Sequence, residues 1–166
     1  MSGMYGMNIK MAIYGESHGA SIGLVIDGVP PGLKLDLEAI EKEMARRAPG
    51  KNQLSTQRKE SDSFAIQSGF FEGYTTGTPL CVVIKNSDQH SKDYSILKDK
   101  MRPGHADYAG FVRYQGFNDY RGGGHFSGRL TAPLVFIGAV AKQALAQEGM
   151  LVGAHILQIA DIKEEN

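Results

Sequence analysis

Apolar and polar positions alternate in short bursts through the first part of the chain. Lys10–Tyr14 and Ser21–Asp27 read as β-strands on either side of a polar loop, GESHG, at 15–19. Asp27-Gly28 and Pro30-Pro31-Gly32 mark turns. The period then lengthens: Leu37, Ile40, Met44 and Ala48 share one face, Asp36 sits at the capping position, and Pro49-Gly50 stops the run. That predicts a helix over 36–48.

The segment 51–63 is polar and basic and reads as a loop. Phe64–Phe71 and Leu80–Lys85 follow as two strands, and the turn-rich EGYTTGTP between them predicts an antiparallel pair. Residues 86–101 are polar again. Leu130–Gln147 is the longest helical pattern and is apolar on nearly every side, which predicts a buried central helix. Ser127 stands where an N-cap is expected, and Pro133 falls near the first turn. LVGAHILQI, at 151–159, reads as a strand in which His155 packs. Strands interleaved with helices and hairpins give an α+β fold, a sandwich of β-sheet and helices around that long helix, in one domain over 1–166.

Composition narrows the function. The 166 residues carry 18 Lys+Arg against 18 Asp+Glu, a formal net charge of zero, which argues against a surface built to grip nucleic acid. The single cysteine, Cys81, lies in PLCVVI and reads as a small buried hydrophobe, so neither disulfides nor a cysteine zinc site is expected. There is no signal-peptide pattern at the start and no apolar run of about eighteen residues. A soluble, reduced, cytoplasmic protein without a membrane partner is the expectation.

Four polar stretches carry candidate chemistry. In GESHG, flanking glycines let the backbone bend around His18, with Glu16 as a candidate partner for the imidazole. The alternative is a turn with a solvated histidine. In RPGHADYAG, at 102–110, Pro103-Gly104 makes a turn that places His105 at a helix start, with Asp107 supplying charge there. In RGGGHFSGR, at 121–129, a glycine run leads into a helix between Arg121 and Arg129, with Phe126 to cover an aromatic ring. It fits a phosphate-bearing aromatic cofactor or, failing that, a hinge. Finally, Arg46, Arg47, Lys51, Arg58 and Lys59 form a basic cluster, either a solvated helix end or a wall for an anionic ligand. His90 reads as solvated. His18, His105, Asp107 and His125 are also a conceivable metal set, although no recognised ligand spacing is present and no metal is expected.

GESHGASIGLVIDGVP (15–30), RRAPG with TQRKESD (46–62), FEGYTTGTP (71–79), RPGHADYAG (102–110) and GGGHFSGRLTAPLVFIGAV (122–140) together resemble the chorismate synthase family, in the family's order and over nearly the whole chain. The resemblance implies a lyase of aromatic amino acid biosynthesis. It would convert 5-enolpyruvylshikimate 3-phosphate to chorismate by 1,4-anti elimination of phosphate, with reduced FMN, NADPH as a flavin reductant, and a homotetramer when full length. It gives His18 the protonation of departing phosphate and His105 the protonation of reduced flavin. It assigns His125, Phe126 and Ser127 to flavin, Arg47 to substrate or pyridine nucleotide, and Ser17 and Arg129 to substrate.

Many members read RSSAR where this chain reads HFSGR, and arginine where it has Gln53. Members also carry a second half with an Arg-x-Asp catalytic aspartate, so this chain is expected to be an N-terminal part that binds FMN weakly and turns over little. The competing reading is a truncated flavin- or nucleotide-binding chain, or a regulatory one, without activity of its own.

Overall fold

The computed structural model describes residues 3–48, 62–87, 94 and 98–164. Five strands form one antiparallel sheet: β1 (Met4–Tyr5), β2 (Lys10–Gly15), β3 (Ser21–Asp27), β4 (Phe64–Ser68) and β7 (Leu80–Lys85), in the order β1-β2-β3-β7-β4. Strands β2 and β3 lie within one residue of the sequence expectation. The alternation places Ile22, Leu24 and Ile26 of β3 opposite Ile84, Val82 and Leu80 of β7, all fully buried. Phe64 and Ile66 of β4 continue the same face. Each such side chain contributes about 1.5–3 kcal/mol by leaving water.

Helix α1 (Leu37–Arg47) and helix α3 (Thr131–Gln147) cover that face. Asp36 caps α1, accepting from Ala39 N at 3.0 Å. Gln143 of α3 locks the cap in place by accepting from Asp36 N at 2.8 Å and donating to its carbonyl at 2.9 Å. Met44 and Ile40 face inward as the spacing requires, and Phe136 of α3 meets Phe64 edge-on at 4.9 Å.

The expected strand 64–71 is broken. Its register with β7 shifts between Ile66 and Ser68, and Gly69 turns through a left-handed conformation (φ 79°) with its backbone against Leu80. Beyond it, β5 (Phe70–Phe71) and β6 (Tyr74–Thr75) form a separate hairpin. Helix α3 is buried on one side only, through Ala132, Pro133, Phe136, Ala139 and Val140, while Leu134 is exposed. It lies on the sheet, not at the centre of a core.

Ser127 caps the short 3-10 turn Gly128–Leu130, accepting from Arg129 N at 3.2 Å; α3 itself has no side-chain cap. The stretch Arg121–Gln147 matches a membrane span by length and composition. Its regular α-helix, however, is 17 residues, about 25 Å long and shorter than a bilayer core of about 30 Å.

The expected strand at 151–159 is also corrected. Only Gln158–Ile159 (β8) pairs, with Ile162–Lys163 (β9), and the segment is exposed. His155 is correspondingly unpacked, 70% exposed and beside the Glu164 carboxylate. Cys81 is half-buried rather than buried, because it lies on the sheet face opposite the helices. Residues 49–50, most of the 51–63 loop, and His90 lie outside the described residues.

Candidate active site

Helix α2 (Asp107–Arg113) follows the RPGHA turn, and a 3-10 segment, Arg121–Phe126, precedes α3. Inside that segment Gly122, Gly123 and Gly124 take φ of 57°, 85° and 54°, three successive left-handed residues that only glycine adopts without strain. The run lies directly against the loop between β2 and β3. Ser17 N donates to Gly124 O at 3.1 Å, Ser17 Oγ lies 3.1 Å from Gly122 O and 3.3 Å from Arg121 O, and His125 Nδ1 donates to Gly15 O at 2.8 Å. Asn86, at the exit of β7, holds the loop from the other side: its Nδ2 donates to the carbonyls of Glu16 at 3.0 Å and Gly19 at 2.8 Å.

His18 is buried, 5% exposed, with Nδ1 3.0 Å from Ser17 Oγ and its ring edge-on to Tyr94 at 4.8 Å. Ser17, not Glu16, meets the imidazole. A methyl group on Gly122 would overlap the His18 ring and reach within 2.8 Å of Ser17 Oγ, whereas one on Gly123 would lie 2.6 Å from His105 Cε1 and 3.0 Å from its Nε2. Adjacent glycines therefore seat the two histidines, which lie 87 residues apart in the sequence.

His105 is oriented by a carboxylate. Its Nδ1 lies 2.7 Å from Asp107 Oδ1, with Arg102 Nη2 at 3.2 Å from the same nitrogen. Asp107 in turn accepts from Arg102 Nε at 2.9 Å, Nη2 at 3.0 Å and backbone N at 3.0 Å. The Arg102 hydrogen bonds hold the Asp107 carboxyl far below the ordinary carboxylate range and push the guanidinium's own pKa up. With Asp107 ionised throughout the neutral range, His105 Nδ1–H is the form it favours, and Nε2 is turned to Gly123. The turn expected from Pro103-Gly104 is present, and Asp107 is the first residue of α2.

A similar pair flanks the glycine run. Arg121 donates through Nε at 2.9 Å and Nη2 at 2.7 Å to Asp119. These bonds lower the Asp119 pKa, with the nearby His18 adding to the effect.

Of the expected phosphate nest, the carbonyls are turned to Ser17 and the Gly123 N–H to Tyr120 O at 3.3 Å. The glycine run thus acts as a seat for imidazoles. Two clefts open beside it. One, of about 180 Å³, is lined by Asp107, Asp119, Tyr120, Gly123 and Phe126 among others; the second, of about 200 Å³, by Tyr5, Tyr114, His125, Phe126, Ser127 and Leu130 among others. Phe126 walls both. The aromatic lining fits a planar ring, but ligand pockets usually measure about 300–1,000 Å³. These residues fit part of a flavin, not its whole surface.

Arg47 and Arg129, expected at substrate, converge on Asp62. Arg47 donates through Nε at 2.8 Å and Nη2 at 2.6 Å, and Arg129 through Nη1. Arg129 is only 6% exposed. Arg46 is paired with Glu43 at 2.6 Å, and Lys51, Gln53, Arg58 and Lys59 lie outside the described residues. Among the described residues no three His, Cys, Asp or Glu side chains gather as a metal site. Asp62, Asn86 and Asp119 escaped sequence reasoning. Their signals, an acid before a strand, an Asn just after one and an acid two residues before Arg121, are too common to stand out.

Fold and site define an α+β scaffold: an antiparallel sheet with helices on one face and two histidines seated on adjacent glycines, one of which lines an aromatic-walled cleft. The sequence model of chorismate synthase matches residues 9–166, and the chain belongs to the chorismate synthase family. It is 46% identical over 163 residues to the chorismate synthase of Cytophaga hutchinsonii, covering 98% of this chain and 45% of that one. It is 49% identical to that of Pyrococcus abyssi, covering 96% and 45%, and 50% identical to that of Sulfurimonas denitrificans, covering 96% and 44%. A crystal structure of chorismate synthase superposes with a TM-score of 0.60 at 30% identity, over 86% of this chain and 35% of that one. The chain thus spans less than half the length of these curated relatives.

Proposed function

We propose that residues 1–166 form one folding unit carrying the histidine-bearing part of a chorismate synthase site, which eliminates phosphate from 5-enolpyruvylshikimate 3-phosphate to give chorismate. The observation that carries this reading is the seating of His18 and His105 on adjacent glycines, beside a cleft walled by Phe126. Two proton-transfer groups of distinct environment on one platform suit a reaction that protonates a leaving group and a second partner at once. Identity of 46–50% over nearly the whole chain favours the enzyme over a flavin-binding or regulatory chain without activity.

In this mechanism the phosphate leaves with the electron pair of its C–O bond and protonated His18 gives that oxygen its proton, while the ring hydrogen in the 1,4-anti relation leaves as a proton and its C–H electron pair forms the new double bond, with no net oxidation or reduction. Ser17, buried against the His18 ring, serves the substrate side by holding the imidazole in place. His105, with Nδ1 held by Asp107, exchanges its proton through Nε2, which lies against Gly123 at the cleft edge. His125, Phe126 and Ser127 offer a wall and polar edge to the cofactor, while Arg47 provides positive charge for the substrate's anionic groups or a pyridine nucleotide and Arg129 for the substrate. Reduced FMN, when bound, supplies electron density to the breaking bond. NADPH as its reductant, a homotetramer and a cytoplasmic setting belong to the same reading.

The test is anaerobic chorismate formation with reduced FMN, in this chain and in a protein extended to the relatives' full length. His18→Ala and His105→Ala in the extended protein each lower the rate about 10²–10⁴-fold, and the chain alone binds FMN weakly and turns over little. Unchanged rates in both variants refute the assignment.

A further inference from the structure

Resting on the reading of Arg47 as an anion contact, we propose that Asp62 is a positioning residue that orients Arg47 and is itself anchored by buried Arg129. The Asp62 side chain is wholly buried, with its two oxygens divided between the two guanidiniums. Exposure is graded along the line: the Arg129 side chain is 4% exposed and that of Arg47 18%. Arg129 is fixed from behind, its Nε donating to Asn86 Oδ1 at 3.2 Å and Nη2 to Lys85 O at 3.5 Å. Arg47 is fixed at its inner edge by Asp62 and at Nη1 by Thr131 Oγ1 at 3.2 Å, a hydroxyl that donates to Gly128 O at 2.6 Å. One carboxylate therefore ties the end of α1 to the exit of β7 and to the turn entering α3.

Among the described residues Asp62 is shared by two guanidiniums, and Arg47 is the more exposed of the two. A guanidinium held at a set angle recognises a phosphate oxygen pair better than a freely swinging one, because less side-chain freedom is lost on binding. The arrangement also separates two roles for Asp62. If the carboxylate only offsets charge, removing it strengthens anion binding. If it positions Arg47, removing it weakens anion binding in spite of the added positive charge.

The experiment is a titration of this chain with inorganic phosphate, followed through the Arg47 Nε–H signal by NMR, with thermal unfolding recorded for each variant. Phosphate shifts that signal in the unsubstituted chain, together with the backbone amide of the neighbouring Thr131; in Arg47→Ala, which lacks the Nε–H, phosphate leaves the Thr131 amide unmoved. Asp62→Asn weakens binding by about fivefold or more even though the cluster gains one unit of positive charge. Asp62→Glu keeps the charge, displaces the carboxylate by one methylene and also weakens binding; where Asp62→Asn does not fold, this variant decides alone. Equal or tighter binding in Asp62→Asn, unaltered binding in Asp62→Glu, or no phosphate response in the unsubstituted chain overturns the proposal. Chorismate formation is measured separately, so loss of the lyase reading with the phosphate result intact leaves the role of Asp62 standing.

Discussion

Replacing each of the two seating glycines by alanine separates the histidines by consequence. At Gly123 a methyl carbon would lie 2.6 Å from His105 Cε1, against an ordinary carbon–carbon separation of about 3.5–4.0 Å. The ring must withdraw by about 1 Å, and misplacement on that scale costs about 10²-fold in rate. The His105 side chain is 30% exposed, so it has room to swing. The stability cost of Gly123→Ala is then mainly the left-handed backbone, about 1–2 kcal/mol.

At Gly122 the new methyl meets buried His18, which has nowhere to go. Overpacking adds about 1–3 kcal/mol to the same backbone strain. For a domain of this size each kcal/mol lowers Tm by about 2–4 °C, so Gly122→Ala melts about 4–20 °C lower and Gly123→Ala about 2–8 °C lower. Thermal unfolding followed by circular dichroism measures the first quantity, and chorismate formation with reduced FMN in the extended protein the second. If Gly122→Ala melts no lower than Gly123→Ala, or if Gly123→Ala retains its rate within about threefold, the seating argument is wrong.

Other outcomes follow from single contacts. Asp107 has a folded pKa depressed by Arg102, so its stabilisation is complete above its unfolded value of about 3.9 and drains away as pH falls toward the folded one. Asp107→Asn therefore lowers stability at neutral pH and flattens the acid limb of a pH–unfolding curve; an unchanged acid limb contradicts this. Asn86→Ala strips two loop carbonyls of their donor and should cost about 1–3 kcal/mol by urea unfolding, with the His18 loop loosening first in hydrogen exchange. Gly110→Ala places a methyl 2.7 Å from Phe126 Cε2 and should displace that ring, weakening FMN binding measured by fluorescence quenching.

Much of this was legible because local chemistry dictated it. The strand pair at 10–27 and the helix after Asp36 needed only alternation and a cap, and tertiary packing agreed with both. The histidine loops were legible as loops because glycine and proline bracket them. What was not legible depends on distant pairing. Ser17 meets His18 because the glycine run presses on it, and Asp62 matters only because arginines from two helical segments arrive there. The pattern at 151–159 misled because alternation predicts a strand only where a partner strand exists, and among the described residues only a two-residue partner is present.

The contacts that hold the histidine platform span most of the polypeptide: Ser17 to Gly122 is a separation of 105 residues, and His125 to Gly15 one of 110. Closures of that span form late in folding and contribute little until the intervening elements are in place. The β2–β3 hairpin can therefore persist in a partly denatured molecule whose two histidine loops have already parted. Separation of His18 from His105 will precede the loss of most secondary structure, and a ligand bridging the two loops will delay it.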